Sequence, residues 1–136
     1  MDAIMAEPLI TEDQLAQLLA NDSRNFAGEN IDPKPVVKLF TPDAAVTWLI
    51  TEADPADSDH LFNLCNLGLG QPELGYISLA EIRSLHGRLG LPVERDLYFM
   101  AQYPLSWYAK QAGLRPPRWS TTSSSGRRRR RRSTSQ

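Results

Sequence analysis

Val36-Val37-Lys38-Leu39-Phe40 and Val46-Thr47-Trp48-Leu49-Ile50-Thr51-Glu52 are the stretches on which the fold turns. Both are rich in β-branched and aromatic residues, which suit a pleated, half-buried surface. In the second, Val46, Trp48 and Ile50 recur at every second position and so share one face of a strand. Thr41-Pro42-Asp43 lies between the two as a turn. A rival reading starts a helix here, with Thr41 as N-cap and Pro42 at the first helical position. The run Thr47-Trp48-Leu49-Ile50-Thr51 favours the strand.

Working outward toward the N-terminus, Thr11-Glu12-Asp13-Gln14 has the form of a helix capping box. Leu15, Leu18 and Leu19 follow on one helical face, and the helix is expected to end between Asn21 and Phe26. Pro33 and Pro35 keep the connection to the first strand non-helical. On the C-terminal side, Asp54-Pro55-Ala56-Asp57-Ser58-Asp59 reads as a polar turn. His60 to Leu67 then returns as a strand, Gly68 to Pro72 forms a loop, and Leu74 to Ile77 is a third short strand. Ser78-Leu79-Ala80-Glu81 is a second capping box, opening a helix to about His86 that Gly87 or Gly90 stops. Leu91 to Phe99 is read as a last strand. Pro104 to Ala112 is a short helix with Leu105 and Tyr108 inward and Gly113 as cap. The strands arrive consecutively, so the expected fold is α+β, a single domain with a small, mostly antiparallel sheet of about four strands and two or three helices.

The chain has 136 residues and is 41% hydrophobic, enough for one core. Its net charge of −1 hides a split. Residues 1–114 hold all 16 acidic and seven basic residues, a charge of −9, whereas residues 115–136 hold eight Arg and no acid, +8. The expected organisation is an α+β domain over 1–114 and a disordered Ser/Thr- and Arg-rich tail over 115–136. The acidic start lacks the charged and apolar regions of a secretory signal, and no apolar run approaches the roughly 20 residues of a membrane span. The single cysteine, Cys65, forms no internal disulfide and reads as a small core residue. A cytoplasmic protein is expected.

Pro35-Val36-Val37-Lys38-Leu39-Phe40-Thr41-Pro42, Thr47-Trp48-Leu49 and Thr51-Glu52 form one set of longer motifs. Leu67-Gly68-Leu69-Gly70, Pro72 to Leu79, Leu91-Pro92 and Glu94-Arg95-Asp96 form another. Together, from about Thr11 to Tyr108, they resemble the bacterial family catalogued as domain of unknown function number twenty-nine fifty-eight. The resemblance implies a small single-domain protein, often encoded on plasmids and other mobile elements. It supplies no catalytic residues. Family members often carry Gly and Asp in the central run where this sequence has Asn63 and Asn66, and the Arg tail is not part of the pattern.

No catalytic, cofactor or metal motif stands out. Asp54, Asp57 and Asp59 lack the spacing of a calcium loop and read as a solvated turn. Gly68-Leu69-Gly70 lacks the Lys-Ser/Thr of a phosphate loop, and His60 and His86 are too separated for a metal site. Trp48, Phe62, Tyr76, Tyr98 and Phe99 read as core. The candidate binding residues are Glu73, Glu94, Arg95 and Asp96, because loops and strand ends carry function. The leading function is a non-enzymatic binding or accessory protein with a protein partner. The alternative is a hydrolytic or transfer enzyme using the carboxylates of Glu73, Glu94 and Asp96. In the tail, Arg127, Arg128, Arg129, Arg130, Arg131 and Arg132 are a candidate nucleic-acid contact, since contiguous guanidinium groups neutralise phosphates without reading sequence.

Overall fold

The two β-branched stretches pair with each other. In the computed structural model, which describes residues 8–67, 72–85 and 89–114, β1 (Val37–Phe40) lies antiparallel to β2 (Thr47–Asp54). Val37 stands opposite Ile50 and Leu39 opposite Trp48. The strand reading of Val46 to Glu52 therefore holds over its helical rival. β3 (Asp57–Asn66) and β4 (Glu73–Ser78) continue the sheet beyond β2, and the two-residue β5 (Glu94–Arg95) pairs with the outer side of β1. The strand order is β4-β3-β2-β1-β5, and every pairing is antiparallel. The sheet has five strands rather than about four.

Alternation divides the sheet side chains between two cores. Val37, Leu39, Trp48, Ile50, Ala53 and Leu61 point to one face, with Leu18, Ile82 and Val93. Phe62 and Leu64 point to the other, with Leu105 and Ala109. Helix α1 (Glu12–Phe26) covers the first face. Its capping box is formed: Gln14 N–H donates to Thr11 Oγ1 (3.1 Å) and Thr11 N–H donates to Gln14 Oε1 (2.9 Å). Leu18 on this helix is fully buried. Helix α2 (Leu79–Arg83) adds Ile82 to the same core and opens on the Ser78–Glu81 capping box. Helix α3 (Leu105–Gln111) covers the second face through Leu105 and Ala109, one turn apart. Ala112 closes α3, and Gly113 follows at φ 108°, the left-handed conformation that glycine adopts without steric cost.

β1 starts at Val37, opposite Ile50, so β2 runs on beyond its neighbour. There the β2–β3 register shifts between Ile50 and Glu52. Asn21 of α1 donates its amide to the Thr51 carbonyl (2.9 Å), supplying a partner where β1 has ended. The loop after α1 then reaches α3: Leu105 N–H donates to the Pro33 carbonyl (2.9 Å) and Ser106 N–H to Asp32 Oδ1 (3.2 Å).

Five sequence readings need correction. The polar turn at 54–59 shrinks to Pro55-Ala56, because Asp54 and Asp57 pair directly and Asp54 Oδ1 accepts the Ala56 N–H (2.9 Å). Asp54 is buried, not solvated. Helix α2 ends at Arg83, with the Ser84 N–H already closing the cap, ahead of both expected stops; of these, Gly87 lies outside the described residues and Gly90 lies beyond the helix at φ 74°. The strand expected over Leu91 to Phe99 is only Glu94–Arg95. Asp96 Oδ1 accepts the Tyr98 N–H (3.0 Å), a local turn that bends the chain off the sheet, and Tyr98 is 91% exposed rather than core.

Candidate functional site

Glu73, Glu94, Arg95 and Asp96 occupy the two ends of the sheet order. Glu73 begins β4 at one edge, with Cys65 of β3 as its cross-strand partner. Glu94 and Arg95 form β5 at the opposite edge, facing Phe40 and Leu39 of β1. Four interstrand spacings of roughly 4.8 Å put about 19 Å between these edges. The structure therefore brings Glu94, Arg95 and Asp96 together and leaves Glu73 apart. Around the trio, Asp96 N–H donates to the Lys38 carbonyl (2.9 Å), and Lys38 Nζ lies 3.8 Å from Asp96 Oδ2. Arg95 Nη1 donates to the Pro8 carbonyl (2.8 Å). Lys38 and Asp96 also line a cleft of 360 Å³ with Phe40, Thr41, Pro42, Ala44, Val46 and Thr47.

Sequence reasoning missed the surface next to this cleft. The ammonium of Lys38 sits 6.0 Å from the centroid of the Phe99 ring, within cation–π range. Phe99 lies 6.5 Å from Tyr108, Tyr108 packs edge-on against Trp107 (5.1 Å), and Trp107 stacks on Tyr103 at 4.1 Å with 23° between the planes. The cluster is tied down by Gln102 N–H donating to the Tyr108 hydroxyl (3.2 Å). Its outer members remain open: Tyr103 is 42% and Trp107 39% exposed, and Met100 of the same segment is 85% exposed. The signal was present in the sequence as Leu97-Tyr98-Phe99-Met100 and Tyr103 to Tyr108. Reading Leu91 to Phe99 as a core strand, and the helix from Pro104 by its inward Leu105 and Tyr108 alone, concealed it, since periodicity does not say which elements cover which.

A second feature lies beneath α1. Asp22 and Glu52 are fully buried. Tyr76 donates its hydroxyl to Asp22 Oδ2 (3.0 Å), linking α1 to β4. Tyr76 also packs edge-on against Phe62, which stands opposite Glu52 in the sheet. Buried carboxylates are costly unless hydrogen-bonded or paired, so this arrangement constrains how α1 seats on the sheet. Among the described residues, no group of three or more His, Cys, Asp and Glu side chains is placed to hold a metal ion.

Cys65 is half-buried, as its core reading expects. Burial pushes its thiol pKa up, and the neighbouring Glu73 carboxylate pushes it further. Both effects disfavour the thiolate that a nucleophile needs. No described helix is long and apolar enough to cross a membrane. The residues Arg127 to Arg132 lie outside those the structure describes.

A five-stranded antiparallel sheet with a helix capping each face, and an exposed aromatic cluster beside one edge, defines a small single-domain α+β protein. The chain belongs to the family described as Protein of unknown function (DUF2958), whose model matches residues 9–115. That span takes in the five strands and three helices of the described residues. No curated protein and no solved structure matches the chain.

Proposed function

We propose that this protein is a non-enzymatic binding protein whose contact surface is the segment from Leu97 to Trp107. The observation that carries the reading is the exposure of this segment: Leu97, Tyr98, Met100, Tyr103 and Trp107 all present apolar surface within one short stretch of chain. The separation of the candidate carboxylates supports the same reading. Glu73 lies at one sheet edge and Glu94 with Asp96 at the other, too far apart to act on one bond. The mobile-element setting that the family resemblance implies suits an accessory role, and the domain charge of −9 away from this segment suits a basic protein partner.

The test is a turnover screen with activated esters, phosphoesters and nucleotides on wild type and on Glu73→Ala, Glu94→Ala and Asp96→Ala. No turnover dependent on these residues is expected. Hydrolysis by wild type that disappears with one of the substitutions overturns the reading in favour of an enzyme.

A further inference from the structure

We infer that the stacked Tyr103–Trp107 pair, with the Asp32 carboxylate bonded to the backbone next to it, receives an arginine side chain from a basic segment of a protein partner. The inference rests on the binding-protein reading and names the chemistry of the partner that its surface takes. The cluster already holds one cation in this manner. Lys38 Nζ lies 6.0 Å from the centroid of the Phe99 ring and 3.8 Å from Asp96 Oδ2, between an aromatic face and a carboxylate. The other end of the cluster has the rings and the carboxylate without the cation. Trp107 and Tyr103 are stacked and partly open, and among the described residues no cation lies over either ring. Asp32 is exposed. Its Oδ1 accepts the N–H of Ser106, the residue before Trp107, and its Oδ2 makes no hydrogen bond among the described residues.

Guanidinium is the cation that suits both groups. It is planar, so it stacks on an aromatic face, and its fork donates paired N–H groups to a carboxylate. Trp and Tyr on one side and Arg on the other are also the residues that carry most of the binding energy where proteins meet. Exposed Leu97, Tyr98 and Met100 in the same segment offer apolar surface to the residues that flank such an anchor. Charge supports the sign of the partner: residues 1–114 carry −9, so an approaching basic segment is attracted by the domain as a whole. Two cations stand near the contact. Lys110 follows Trp107 by three positions on α3 and so neighbours it on the helix surface. Lys34 follows Pro33, whose carbonyl accepts the Leu105 N–H at the start of α3. Both repel further positive charge at close range, which selects separated arginines over a continuous basic run.

The experiment titrates the full-length protein, at about 0.15 M salt, with a labelled, unstructured Gly-Ser peptide carrying three spaced arginines. Counterpart peptides replace each arginine by lysine or by citrulline, its uncharged isostere. Fluorescence anisotropy reads the affinity, and thermal melting checks each variant. The arginine peptide is expected to bind with a Kd below about 1 mM, the lysine peptide several-fold more weakly and the citrulline peptide about tenfold more weakly. Trp107→Ala and Tyr103→Ala are expected to weaken arginine-peptide binding about tenfold, and Trp107→Phe less than that. Asp32→Asn is expected to weaken it about fivefold; Asn retains an oxygen to accept the Ser106 N–H, so the start of α3 is kept. Lys110→Gln is expected to tighten it about twofold, since it removes a neighbouring like charge. Glu12→Gln with Asp13→Asn, on the helix that covers the opposite face of the sheet, is expected to change it by less than about 1.5-fold, because screening confines such distant charges.

Equal binding of the arginine and citrulline peptides overturns the inference. So does wild-type affinity in Trp107→Ala, or no saturation by the arginine peptide up to about 1 mM. A loss in the α1 variant as large as that in Asp32→Asn reduces the attraction to net charge and removes the site. Two other occupants show themselves in the same assay. Self-association of the wild type that Trp107→Ala abolishes, with no peptide bound, assigns the surface to a second copy of the chain. A chain with Arg127 to Arg132 all changed to Ser that binds the arginine peptide about tenfold more tightly than wild type assigns the surface to the chain's own arginines. Each of these results refutes a separate basic partner and leaves the binding-protein reading standing, since that reading fails on carboxylate-dependent turnover instead.

Discussion

Replacing Trp48 tests the fold at its centre. Trp48 is fully buried, between Leu39 of β1 and Cys65 of β3, under the helix that contributes Leu18. A buried Trp removes about 150–250 Å² from water, which at ~25 cal/mol/Å² is about 4–6 kcal/mol. Truncation to Ala keeps a little of that and adds a cavity, so Trp48→Ala is expected to cost about 3–5 kcal/mol. One detail modifies the conservative substitution. Trp48 Nε1 is buried with no hydrogen-bond partner among the described residues, and an unsatisfied buried donor costs about 1–3 kcal/mol. Trp48→Phe removes that donor along with part of the ring, and the two effects oppose each other, so its cost is expected to stay below about 2 kcal/mol. Urea unfolding followed by far-UV circular dichroism measures both, with the slope checked for two-state behaviour. A change within ~0.5 kcal/mol for Trp48→Ala refutes the placement of this side chain. A cost for Trp48→Phe equal to that of Trp48→Ala refutes the argument from the unpaired indole.

Three further outcomes follow from particular contacts. Tyr76→Phe deletes the hydroxyl that donates to buried Asp22 and is expected to destabilise the domain by about 1.5–3 kcal/mol in the same assay, whereas an unchanged midpoint denies the α1–β4 link a role in stability. The raised Cys65 pKa means that the folded chain keeps a proton the unfolded chain has lost, so stability is to be level at neutral pH, to fall as pH rises past the unfolded thiol value of about 8.5, and to level off above the folded one. Cys65→Ala should flatten that fall, and Glu73→Gln should speed alkylation of Cys65 by iodoacetamide at pH 8.5; an alkylation rate untouched by Glu73→Gln removes that carboxylate as a cause. Truncation after Leu114 is expected to leave the melting temperature within about 2 °C of the full chain, since the family match and every described element lie within or just beside that boundary; a larger drop shows residues 115–136 docked on the domain.

Local rules acted strongly where one residue's chemistry sufficed. Thr11 and Ser78 opened helices because each places a hydroxyl at the backbone N–H three residues on. Trp48 and Ile50 faced the core because strand alternation leaves no other arrangement once one face is buried. Gly113 follows the cap of α3 because its backbone turns left-handed there. The charge division between residues 1–114 and 115–136 was likewise legible from the sequence alone. What depended on distant partners was not. Leu91 to Phe99 has the composition of a strand, yet β1 is only four residues long and offers β5 two pairing positions before Asp96 turns the chain away. Tyr98 was thereby moved from an expected core to the surface, and Tyr103 and Trp107 after it form an exposed stacked pair. Glu73 and Glu94 look equivalent along the chain, but the strand order sets them at opposite edges of the sheet. Asp22 and Asp54 carry no sequence mark of burial; Asp22 lies on α1, which seats on the stretch of β2 that extends past β1, and Asp54 closes the tight β2–β3 turn. Hydrogen-bond and burial patterns of neighbours in sequence are settled within a few residues, whereas which edge stays open and which face is covered depends on how many strands pair and where each one stops.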